Sequence, residues 1–223
     1  MAELWSTLAP LVIASALLPL QTLVTLLLVR SSLRSAVAWV AGMFTVRLLQ
    51  GVLFGVVISA AEEQAGPASP RYVTGALLLL LAGLLYMKAL RKAVGAEDED
   101  APPPRWVEKA ASMSPARAFA TGAGFMTISV KFLVFTLGAI GAITEAHMAA
   151  HIQALTFLLF VVLGQSVPFA ILALAASSSS RSAEILNGMR SWLQRNNRMI
   201  TIVFGVFFGT WFLLKALGHL GIR

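Results

Sequence analysis

Apolar residues run through this chain in six long blocks separated by short charged segments. The first extends from Leu4 to Val29 without a charge and is interrupted only by Pro10 and Pro19. The second covers Ala36 to Ala60 and carries Arg47 inside it. The third, Val73 to Leu90, ends at Lys88, Arg91 and Lys92. The fourth, Ala118 to Ile143, encloses Lys131, and Ile152 to Ala176 and Met199 to Leu217 complete the set. Most are long enough to cross a hydrocarbon layer of about 30 Å at a rise of about 1.5 Å per residue. Lipid offers no hydrogen bonds to the backbone, so such segments are predicted to be helices. The pattern therefore predicts an all-α integral membrane protein with six transmembrane helices.

The opening block does not read as a cleaved leader. Met1-Ala2-Glu3 lacks a basic start, and the run exceeds the apolar core of a signal peptide, about 7–15 residues. Ala36-Val37-Ala38 resembles a cleavage site but lies beyond Arg30 and Arg34. A retained helix is expected.

The distribution of basic residues sets an orientation. Twelve of the 17 Lys and Arg residues fall in or beside the segments between helices 1 and 2, 3 and 4, and 5 and 6. These are Arg30, Arg34, Lys88, Arg91, Lys92, Arg105, Lys109, Arg117, Arg181, Arg190, Arg195 and Arg198. Only Arg71, Lys215 and Arg223 fall on the opposite side. Positively charged loops stay in the cytoplasm, so both termini are expected outside a cell membrane.

Two connecting segments differ from the rest. Gly95 to Pro104 reads GAEDEDAPPP, a solvated acidic and proline-rich linker rather than a metal site. In 182–196, Ile185, Leu186, Met189, Trp192 and Leu193 recur at helical spacing among arginines. This predicts an amphipathic helix, either lying on the cytoplasmic leaflet or acting as a plain connector.

Three helices, a linker and three more helices suggest two inverted three-helix repeats. The boundaries are 1–92 for the first repeat, 93–117 for the linker and 118–223 for the second. An odd number of helices per unit inverts one half relative to the other, an arrangement whose binding sites lie near the midplane.

Composition sharpens this picture. Charged residues make up 12% of the chain, about half of the roughly 25% usual in soluble domains, and hydrophobic residues 58%. The formal charge of +7 is explained by orientation, so no nucleic-acid partner is expected. Cysteine is absent, which removes disulfides, thiolate chemistry and Cys-ligated zinc.

All ten acidic residues lie in loops or termini. Hard-cation transport and a carboxylate proton relay are thereby disfavoured. His147, His151 and His219 sit near membrane edges, so no metal, cofactor or enzyme activity is expected. Two intramembrane cations remain, Arg47 and Lys131. A charge at the bilayer centre costs at least about 2.5–3.5 kcal/mol, and no carboxylate is placed to offset it. An anionic ligand would. Gln50 lies one turn from Arg47, and Ser129 and Thr127 flank Lys131. Gln21 follows Pro19, and Gln165 precedes Pro168, where helix breaks would expose carbonyls. Lys131, Arg47, Gln50, Ser129, Gln21 and Gln165 are the candidate substrate-binding residues. Each glutamine or serine alone is also an ordinary helix–helix hydrogen-bonding group. The spacings Gly51/Gly55 and Gly205/Gly209 suggest close helix packing, and a homo-oligomer is compatible with them.

The run ASALLPLQTLVTLLLVRSSLRSAVAWVAG resembles the start of the GAP family, the actinobacterial glycopeptidolipid- and sulfolipid-addressing membrane proteins, related to the lysine-exporter superfamily. TGAGFMTISVKFLVFTLGAI falls where that family often has an Asn-Pro-Lys-Asn-type motif; here Lys131 remains, with Ser129 and Val130 before it. WLQRNNRMITIVFGVFFGTWFLLKAL is similar to the family's last loop and helix. The resemblance implies a six-helix, 3+3 fold and a role in moving a glycolipid, or a solute, towards the cell surface; together with the two intramembrane cations it leads to the expectation of a transporter or transport-accessory protein for an anionic lipid or glycolipid. Two alternatives stay open: export of a small amino-acid-type solute, and a scaffold docking a larger lipid exporter.

Overall fold

The computed structural model describes residues 2–65, 69–95, 112–177 and 180–221. Among these residues there are helices and no strands. Three helices are each long and apolar enough to cross a membrane, and six crossings result if each of three bent pairs is one span. Span 1 is Ala2–Ala16 followed by Pro19–Ser31, bent by 44°. Span 2, Leu33–Ala65, and span 3, Ser69–Ala93, are continuous. Span 4 is Pro115–Ile128 and Val130–Glu145, bent by 67°. Span 5 is Ala150–Gly164 and Ser166–Ala176, bent by 57°. A separate helix, Ser180–Arg195, precedes span 6, Asn197–Leu220. The acidic proline-rich stretch lies outside the described residues, apart from Gly95.

The outer faces are apolar. Leu49, Val52, Leu53 and Val56 of span 2 are each at least 60% exposed. A contiguous apolar face of this kind suits lipid rather than water. Inside, Leu8, Leu11, Met43, Phe135, Phe160 and Phe212 are fully enclosed.

Two helix pairs pack at backbone distance. Gly42 of span 2 faces the carbonyl of Phe119, while Gly122 faces the carbonyl of Trp39. A side chain at either position would occupy the neighbouring backbone, so span 2 and the first half of span 4 are held by a reciprocal glycine contact. Gly205 of span 6 rests on Ala89 and the Leu85 carbonyl, and Gly209 on the Tyr86 ring. Tyr86 and Thr210 share a hydrogen bond of 2.6 Å beside that seam. The expected role of Gly51 is met differently, since it accommodates the Phe157 ring, and Gly55 faces open space. The outward turn of Val52 and Val56 explains why Gly55 touches no other helix.

The ends are pinned by single polar contacts. Ser35 Oγ donates to the Met113 carbonyl at 2.8 Å, joining the start of span 2 to the approach of span 4. At another end, His219 Nδ1 lies 3.1 Å from Glu145 Oε2, joining spans 6 and 4.

Candidate functional site: a buried arginine among broken helices

Two of the three breaks follow from proline chemistry. Proline has no N–H and its ring crowds the carbonyl four residues earlier. Pro19 therefore frees the Ser15 carbonyl, and Pro168 frees that of Gly164. In span 1 the deficit is filled from within: Gln21 Nε2 donates to the Ser15 carbonyl at 2.7 Å and to that of Ala16 at 3.3 Å. Gln21 is fully buried, and its Oε1 has no partner among the described residues. In span 5 the helix stops at Gly164, and Gln165 takes φ −109°, ψ 15°.

The break in span 4 has no proline. It falls within Thr127-Ile128-Ser129-Val130, where three of four residues are β-branched and lose rotamer freedom in a helix. Ser129 takes φ −76°, ψ 102°, and Ile128 is 81% exposed. Phe125 and Phe132 bracket the break with ring centroids 5.6 Å apart, so aromatic packing runs across it.

Arg47 projects from the unbroken span 2 into this region and is fully buried. Its Nη1 donates to Ser15 Oγ at 2.6 Å. Its guanidinium carbon lies 4.8 Å from the centre of the Phe160 ring and 5.7 Å from that of Phe132. A Cβ at Gly164 would lie 3.1 Å from Arg47 Nη1 and 3.2 Å from Ser15 Oγ. Glycine is thus what leaves room for the arginine beside span 5. Residues on both sides of the site, Ser15 and Gly164, are the ones whose carbonyls the two prolines free.

The electrostatics are unbalanced. A desolvated cation–π contact contributes about 2 kcal/mol, so two aromatic faces and one hydroxyl offset much of the insertion cost. They leave Arg47 Nε and Nη2 without a hydrogen-bond partner among the described residues. Among the described residues, the fully buried Gln165 has neither side-chain atom paired, and Gln50 Oε1 and Thr136 Oγ1 are likewise unmatched. Gln50 is one turn along from Arg47, Gln165 is next to Gly164, and Thr136 is one turn along from Phe132. Buried polar groups without partners are uncommon, and such a cluster suits a polar ligand.

Of the expected residues, Arg47 makes these contacts, Gln21 bonds the carbonyl of its partner Ser15, and Gln50 and Gln165 lie close to Arg47 and Gly164 along the chain. Ser129 is the residue at which span 4 breaks, and Lys131 is half-buried on the first turn beyond it, adjacent to Phe132. Sequence reasoning missed Ser15, Gly164, Phe132 and Phe160. For the first two a signal existed, a position four residues before a proline; the two phenylalanines carried none within apolar runs. Among the described residues no three His, Asp or Glu side chains converge.

No curated protein and no solved structure matches the chain. Residues 8–218, nearly the whole chain, match the family described as Sap, sulfolipid-1-addressing protein. By that match this multi-pass helical chain, with a buried arginine among its broken helices, belongs to the sulfolipid-1-addressing protein family.

Proposed function

We propose that this protein moves, or helps another transporter to move, an anionic lipid or glycolipid towards the outside of the cell membrane, with Arg47 receiving the anionic headgroup. The single observation that carries this reading is the buried guanidinium whose Nε and Nη2 have no partner among the described residues, with the Gln165 amide, likewise unpartnered among them, one residue on from the Gly164 contact. A sulfate or carboxylate accepts from a guanidinium fork with charge-assisted bonds about twice as strong as neutral ones. Gln165 and Gln50 supply further donors, Gln21 holds the break open, and Ser129 and Lys131 form the span 4 side. The family agrees with a lipid-related membrane role. Two inverted three-helix repeats with both termini outside would put this site at the midplane. The helix breaks do not repeat evenly, because span 5 is broken and span 2 is continuous.

The test is complementation of a deletion strain with wild type and Arg47→Gln, scoring surface-exposed anionic lipid against protein level. Arg47→Gln is expected to remove the surface lipid while the protein persists in the membrane. Full export by Arg47→Gln would end the assignment of this site. A lipid profile that is unchanged by deletion, together with altered amino-acid efflux, would transfer the same anion site to a small solute.

A further inference from the structure

A second feature lies away from Arg47. The helix Ser180–Arg195 packs beside the ends of spans 1 and 5, and between them is an open cleft of about 420 Å³. Its lining combines Arg30, Ser182 and Asn187 with Leu33, Leu174 and Leu186. Arg30 is exposed, and its side chain makes no hydrogen bond or ion pair among the described residues. Ser182 is buried and its hydroxyl is shared with Ser177 at 2.6 Å. One cationic fork and one amide at the mouth of an apolar groove match a charged headgroup joined to acyl chains.

We propose that this cleft is a binding site for an anionic phospholipid of the surrounding leaflet, its phosphate held by Arg30 and Asn187. Charge complementarity supports this occupant. The cleft opens at the end of the molecule that carries most of the Lys and Arg residues, with Arg34, Arg181, Arg190 and Arg195 nearby in the chain. Basic segments at the cytoplasmic surface are drawn to acidic lipids. On the same helix Trp192 and Ile185 are 54% and 42% exposed, an apolar edge suited to the lipid boundary. Glu184 also lies on this helix, and it is exposed and absent from the cleft lining. The bound lipid would tether the surface helix to spans 1 and 5. This site does not depend on Arg47 or on what the protein transports.

The experiment uses the full chain in nanodiscs of phosphatidylglycerol mixed with phosphatidylcholine, followed by native mass spectrometry of retained lipid. Wild type is expected to keep phosphatidylglycerol in preference to phosphatidylcholine. Arg30→Gln should lower that retention about fivefold, the scale of one arginine at an anionic surface. Ala183→Trp, which fills the cleft from its wall and leaves every charge in place, should lower it similarly. Arg34→Gln should lower it clearly less than Arg30→Gln, since Arg34 adds only to the surface charge and does not line the cleft. Equal losses in Arg30→Gln and Arg34→Gln, or full retention in Ala183→Trp, would overturn the cleft and leave only a diffuse surface attraction. Arg47→Gln is expected to retain the lipid, so failure here and failure of the transport reading are read separately.

Discussion

Arg47 Nη1 and Ser15 Oγ meet at 2.6 Å, and this bond joins the middle of a continuous helix to the end of a broken one. Span 2 supplies the charge and span 1 supplies a hydroxyl next to its own break. The remaining guanidinium nitrogens, Nε and Nη2, have no hydrogen-bond partner among the described residues.

Replacing Arg47 separates stability from function. A buried, incompletely paired ion is often matched or improved by an apolar residue of similar volume. Arg47→Met is therefore expected to melt in detergent at or above the wild-type temperature while surface lipid export is lost. Arg47→Lys should restore little, because an ammonium lacks the planar fork that lies against Phe160 and Phe132. Thermal melts alongside the complementation assay check both statements.

The Gln21 amide substitutes for an N–H that Pro19 lacks. Gln21→Leu should cost about 1–3 kcal/mol, the penalty for orphaned buried carbonyls. Pro19→Ala restores an N–H opposite the Ser15 carbonyl, so the same Gln21→Leu change should cost less in that background. A double-mutant cycle on detergent unfolding measures the coupling. Additive effects would mean that the carbonyl is satisfied in another way.

The glycine contacts give a graded series. Gly42→Ala and Gly122→Ala each place a methyl against a backbone carbonyl and should destabilise by about 1–3 kcal/mol. Gly83→Ala and Gly55→Ala meet nothing within 4 Å and should be neutral or slightly stabilising, as alanine favours a helix by about 1 kcal/mol over glycine. Thermal or denaturant unfolding of the four variants ranks them.

Lys131 stands beside the site, half-buried, on the turn after Ser129. Lys131→Ala is expected to weaken export less than Arg47→Gln, with folded protein retained in both. Identical losses would give the two cations equal weight in headgroup capture.

Much of this was legible in the chain. Arg47 stood out because a charge in a long apolar run must be neutralised, and Gln21 and Gln165 because each lies within a turn of a proline. The helical blocks were legible because lipid imposes length and apolarity on every span. What remained hidden was convergence. Phe132 and Phe160 look like any apolar residues until the fold turns both rings towards one guanidinium. Gly164 and Gly122 reveal their purpose only when the neighbour that fills the missing side chain is known. The break at Ser129 was obscured because no proline marks it, and the aromatic pair across it belongs to tertiary packing.

The interlock of Gly42 with Gly122 has a mechanical consequence. It fastens the first half of span 4 to span 2, the helix that bears Arg47, while Gly141 seats the second half of span 4 against Thr74 of span 3. Span 4 is thus anchored to two different neighbours on either side of Ser129. Arg47 and Phe132 therefore sit on opposite sides of the kink at Ser129 and still meet, with 5.7 Å between the guanidinium carbon and the ring centre, so that one contact bridges the bend.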